Sequence, residues 1–155
     1  MKKNILVFAV SLCVALEALA VDLSKMDSLQ RREYLIEKSK EVIMTVCPAC
    51  YREYGEPEIV GPKECFIDEY CLQIYPDYRE RSVYYVIRKY DIANEKMICD
   101  YSSIVGIWED TGLVQKFSLG YGFGYDFTFH SYEEWLETKP VLPIPNKEGK
   151  LWNFY

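Results

Sequence analysis

The stretch LVQKFSLGYGFGYDFTFH, residues 113–130, decides how the rest of the chain is read. Every odd position except Gln115 is apolar: Leu113, Phe117, Leu119, Tyr121, Phe123, Tyr125, Phe127 and Phe129. After Val114 the even positions are Lys116, Ser118, Gly120, Gly122, Gly124, Asp126, Thr128 and His130. Alternation with period two marks a strand with one buried face. At about 3.3 Å per residue a straight strand of this length would be far longer than usual. It must bend, or break into two strands that share one inner face, and the glycines 120, 122 and 124 lie where that is easiest. Phe123 and Phe127 are expected to be buried deepest. Tyr121 and Tyr125 are expected nearer an opening, where a ring can pack while its hydroxyl stays wet, and are the candidate ligand- or partner-binding residues.

The strands before it have short connections. Residues 65–75 are a first candidate, ended by Pro76-Asp77, and residues 81–90 are denser in valine, tyrosine and isoleucine. A third covers 97–108, with Met97, Cys99, Tyr101, Val105 and Ile107 on one face. The turn 109–112 then leads into the aromatic stretch, so the strands form an antiparallel meander. Asp110-Thr111-Gly112 matches the aspartic-protease triplet. Between two alternating strands, however, these are ordinary turn residues.

Residues 25–46 are expected to be a helix. Leu29, Leu35, Ile36, Val42, Ile43 and Val46 recur on one face, and Ser24 with Asp27 suits its N-terminus. Cys47-Pro48-Ala49-Cys50 then kinks it or begins a new turn, because proline lacks the helical donor. Residues 131–138 make a short C-terminal helix capped by Ser131, followed by a proline-rich tail over 140–155. The fold class is therefore α+β: one long N-terminal helix packed on a curved antiparallel sheet, of cystatin-like or NTF2-like layout.

Lys2-Lys3, the apolar run 5–16 and Ala18-Leu19-Ala20 have the pattern of a secretory signal peptide, with cleavage before Val21. The apolar run is short for a membrane anchor, and Leu12 before Cys13 does not suit lipidation. The chain divides into a leader, 1–20, and one exported domain, 21–155, periplasmic or secreted and without a membrane span after cleavage. The net charge is −6 for the full chain. An acidic, tyrosine-rich domain does not suit nucleic acid, whose phosphates call for basic patches.

Five cysteines lie beyond the leader: Cys47, Cys50, Cys65, Cys71 and Cys99. In an oxidising compartment they are disulfide candidates, with one left over. The C-x-x-C pair also suits a thiol–disulfide exchange site with Cys47 and Cys50 catalytic. A zinc site using the first four fits less well, because the Cys65–Cys71 gap is wide. No cofactor or metal is called for. His130 has no base, nucleophile or metal partner in the sequence around it, and Glu133 and Glu134 are helix-start acids.

The helix ending in Tyr54-Gly55 with Pro62 soon after, and Val105-Gly106-Ile107-Trp108 running into Thr111-Gly112-Leu113-Val114, resemble the bacterial NTF2-fold immunity proteins and related cystatin-like exported proteins. The resemblance spans roughly residues 35–120. It implies a non-enzymatic protein that binds a partner such as a protein toxin, and it carries over no functional residue. Thiol–disulfide exchange is the alternative function.

Overall fold

The structure, a computed structural model, describes residues 20–53, 55–142, 144–145 and 152–153. The leader expected over 1–20, apart from Ala20, and Tyr54 lie outside the described residues, as does most of the tail 140–155.

Helix α1 spans Ser28–Val46. Its cap is Asp27, whose carboxylate accepts the N–H groups of Leu29 and Gln30, both at 2.9 Å. The expected start at residue 25 is therefore three residues early. Ser24 is not the cap, because Leu23–Lys25 forms a separate 3-10 turn in which Ser24 bonds Asp22. Leu35, Val42, Ile43 and Val46 are buried. Leu29, expected on the same face, is 64% exposed, lying in the first turn ahead of the residues that meet the core. Pro48 takes the first position of a 3-10 turn, Pro48–Cys50, where its missing N–H leaves no bond unmade.

Five antiparallel strands follow in the order β1 to β5: Glu58–Glu64, Ser82–Arg88, Ser103–Trp108, Val114–Leu119 and Gly124–Asp126. The long helix on an antiparallel sheet is the expected α+β layout. The face toward α1 carries Ile59, Tyr84, Val86, Val105, Ile107, Val114, Phe117 and Leu119, which join Leu35, Val42, Ile43 and Val46 in one core. Burial of this continuous apolar face is the main force holding helix to sheet.

The aromatic stretch breaks into β4 and β5, which pair Phe117 with Tyr125 on one face. Gly122 makes the turn with φ 89°, a conformation that strains any residue with a Cβ. The odd-position rhythm does not run unbroken from Leu113. A bulge lets Ile107 pair with Val114 while Gly106 pairs with Lys116, so the phase slips at Gln115. Val114 thus shares the core face with Phe117, and Gln115, the one polar residue in the odd series, is the extra residue. Its buried amide donates to Asp126 and Thr128. Its oxygen occupies the space beside Gly106, where a Cβ would come within 2.6 Å of it. Phe127 is buried as expected, but Phe123 is only half-buried because it lies in the turn between the two arms.

Two strand expectations fail. Residues 65–75 contain no described strand. They hold helix α2, Glu69–Ile74, started by Asp68, whose carboxylate accepts the Cys71 N–H at 3.0 Å. The first strand comes earlier and runs through Gly61-Pro62. This is tolerated because β1 is an edge strand whose register shifts between Val60 and Lys63. Of 97–108 only Ser103–Trp108 is strand, since the β2 partner residues end at Arg88; Cys99 instead bonds its N–H to Gly120.

Residues 109–112 form the expected turn, in which Asp110 accepts two bonds from Arg81, both at 2.8 Å. Helix α3, Tyr132–Glu137, starts at Ser131 as read. In the tail, β6 (Ile144–Pro145) pairs with β7 (Trp152–Asn153), so the tail's described strands pair with each other in a separate ladder and not with the main sheet.

Candidate partner-binding surface

The face of the sheet away from α1 is partly covered by the excursion 65–81 between β1 and β2. Val83 and Trp108 oppose each other on that face and are both buried. The Arg81 guanidinium lies 3.9 Å from the Trp108 ring centroid and 4.7 Å from that of Tyr78, while its bidentate pair with Asp110 fixes its plane. Tyr75 stacks on Phe129 at 4.6 Å, and Tyr78 lies 5.4 Å from the same ring. These contacts tie the C-terminal end of the excursion to the sheet. A cleft of about 330 Å³ runs from this cluster to the start of α3, lined in part by Tyr78, Arg81, Trp108, Phe129, His130 and Glu134.

Helix α2 has no buried residue. Phe66 is 94% exposed, Tyr70 72% and Ile74 54%, and they follow one another at steps of four. Four-residue spacing places Tyr70 and Ile74 on one helical face, and Tyr75 carries the apolar surface on to Phe129 and the cleft. Glu64, Asp68, Glu69, Asp77 and Glu80 are exposed in the same region, with Lys63 and Arg79 the exposed cations among them, and Glu69 pairs with Arg79. Phe66, Tyr70 and Ile74 were not among the candidates from sequence. Read as a strand, 65–75 would have put all three on one face and turned that face toward a core, whereas Asp68 as an N-cap marks the start of a short helix that leaves them in water.

The structure does not bring Tyr121 and Tyr125 together. Tyr121 is half-buried near Cys47, Cys50, Arg52 and Glu95, and burial pushes its phenol pKa up. Tyr125 is 41% exposed on the edge strand, stacked on Phe127 at 4.8 Å and lying 5.2 Å from Trp135. Neither lines the cleft.

The five cysteines are free thiols in the structure. They are dispersed: Cys65 follows β1, Cys71 sits in α2, and Cys99 lies in the loop before β3. Cys47 and Cys50 are neighbours in the core, and their mutual influence lowers the Cys47 pKa and, with burial, raises that of Cys50. Both are buried, at 2% and 0% exposure. Among the described residues no group of three or more histidine, cysteine, aspartate or glutamate side chains is placed to hold a metal ion. No helix of the described residues is long and apolar enough to cross a membrane. Compared with family models, curated proteins and solved structures, the chain gives no match.

Proposed function

We propose that this is an exported, non-enzymatic binding protein that docks a protein partner on the apolar surface formed by Phe66, Tyr70 and Ile74, with the aromatic cleft beside it. The exposure of these three side chains on a segment that buries none of them carries the reading. Large apolar side chains left open together on one short segment favour a partner site, and aromatic residues are enriched where partners bind. The acidic rim specifies the partner's chemistry: an apolar centre edged with lysine and arginine. A role like that of the NTF2-fold immunity proteins agrees with this, and periplasmic or secreted placement follows from the leader pattern. Thiol–disulfide exchange through Cys47 and Cys50 is the weaker reading, because both sulfurs are out of reach of a protein substrate.

The test is affinity capture from the cell envelope with a photo-crosslinker at position 70, beside the triple variant Phe66→Ser, Tyr70→Ser, Ile74→Ser. A stoichiometric partner that crosslinks at position 70, and that the folded triple variant loses, supports the proposal. A partner retained undiminished by the triple variant overturns this surface. Trapped mixed disulfides with many proteins would favour exchange chemistry instead.

A further inference from the structure

At the C-terminal end of α1 the chain buries two thiols, Cys47 and Cys50, in one turn. The Cys47 N–H donates to the Ile43 carbonyl at 2.8 Å, closing the helix, and the Cys50 N–H donates to the Cys47 carbonyl at 2.9 Å, closing the turn around Pro48. Cys47 flanks the 3-10 turn and Cys50 ends it, and both side chains are buried in the same core. Arg52 holds the segment from outside. Its guanidinium donates to the carbonyls of Ala49 at 2.7 Å and Tyr51 at 3.0 Å and pairs with Glu95 on the loop between β2 and β3.

We infer that Cys47 and Cys50 are an oxidation site that closes into one local structural disulfide, leaving Cys65, Cys71 and Cys99 outside it. The turn already holds the two residues together, with the Cys50 N–H on the Cys47 carbonyl and both side chains in the core. The position in α1 also sets the role. A catalytic thiolate is favoured at a helix N-terminus, whereas Cys47 caps the C-terminus of a 19-residue helix, where the dipole opposes negative charge. A neutral disulfide has no such penalty. The neighbouring Cys50 and the nearby Arg52 still make Cys47 the more acidic thiol, so it is the one that attacks first.

The oxidant is a disulfide of the exporting compartment, either a dithiol oxidase or oxidised glutathione. The Cys47 thiolate attacks one sulfur of that disulfide, forming a mixed disulfide and expelling one thiolate. Cys50, losing its proton, then attacks the Cys47 sulfur and expels the second thiolate. The two protons released by the cysteines end on the two thiols of the reduced oxidant. Because the sulfurs are buried once the chain has folded, this happens during folding or in a local opening.

The test uses the exported chain, equilibrated in glutathione redox buffer, then alkylated in denaturant and mapped by mass spectrometry. The expected result is that the peptide 41–52 is lighter by two hydrogens, with Cys47 and Cys50 unlabelled and the other three cysteines labelled. The triple variant Cys65→Ser, Cys71→Ser, Cys99→Ser should give the same peptide, and reduction should lower the melting temperature of both proteins. Labelling of Cys47 or Cys50 after oxidation, or a bond from either to Cys65, Cys71 or Cys99, would overturn the pairing. Efficient reduction of insulin by the folded protein would overturn the structural role.

Discussion

Helices α1 and α2 both carry apolar residues at helical spacing, and the molecule uses them in opposite ways. On α1, Leu35, Val42, Ile43 and Val46 are removed from water by the sheet. On α2 and just before it, Phe66, Tyr70 and Ile74 stay in water. Both helices are started by an aspartate that accepts backbone N–H groups, so local chemistry does not separate them. The difference is length and anchoring. The 19 residues of α1 present a long stripe to one face of the sheet, whereas α2 has six residues and is tied to the rest through its flank, by Tyr75, Tyr78 and Arg81. A surface apolar stripe that folding leaves unburied is one that a partner can bury.

The strongest test of this contrast is a deletion on the buried side. Phe127 touches the rings of Phe117, Tyr132 and Trp135, with centroids 5.4–6.0 Å away. Phe127→Ala should cost about 3–5 kcal/mol in urea unfolding. Tyr125→Ala, at the exposed edge beside it, should cost distinctly less; equal losses would mean that the edge belongs to the core.

Next comes the bulge that sets the phase of β4. Gly106→Ala should cost about 1–3 kcal/mol by forcing the buried Gln115 amide to move. Adding Gln115→Ala should recover part of the loss, a non-additivity that double-mutant unfolding measures. Strict additivity would show that the two positions do not contend for the same space.

A third test is alkaline unfolding. Burial raises the Tyr132 phenol to about 12, partly offset by Thr45, with Glu41 and Glu133 adding to the rise. An unfolded tyrosine ionises near 10. Between these values the unfolded chain loses a proton that the native chain keeps, so stability is full below about pH 10 and falls as pH rises toward 12. Tyr132→Phe should flatten this fall without abolishing it, since Tyr101 is raised to about 12 as well. An unchanged slope would place Tyr132 in water.

The smallest expected effect on stability is on α2. Phe66→Ser, Tyr70→Ser and Ile74→Ser should each change stability by no more than about 0.5 kcal/mol, while weakening partner binding. A loss of several kcal/mol at any of them would mean that α2 is core and would dissolve the contrast.

The sequence by itself determined the layering. The spacing of Leu35, Val42, Ile43 and Val46, the alternation after Gln115 and the turn residues around Gly112 and Gly122 are local signals, because backbone geometry alone sets which side chains share a face. Tertiary structure decided what those signals left open. Whether 65–75 becomes strand or helix depended on β2 already having neighbours in β1 and β3, and the slip at Gln115 depended on room beside Gly106. Exposure was least legible of all. Phe66 and Phe127 are the same residue in sequence, and only the surroundings that folding brings to each leave one in water and the other in the core. Burial is a property of non-local packing, and the candidate binding surface is the remainder after that packing is complete.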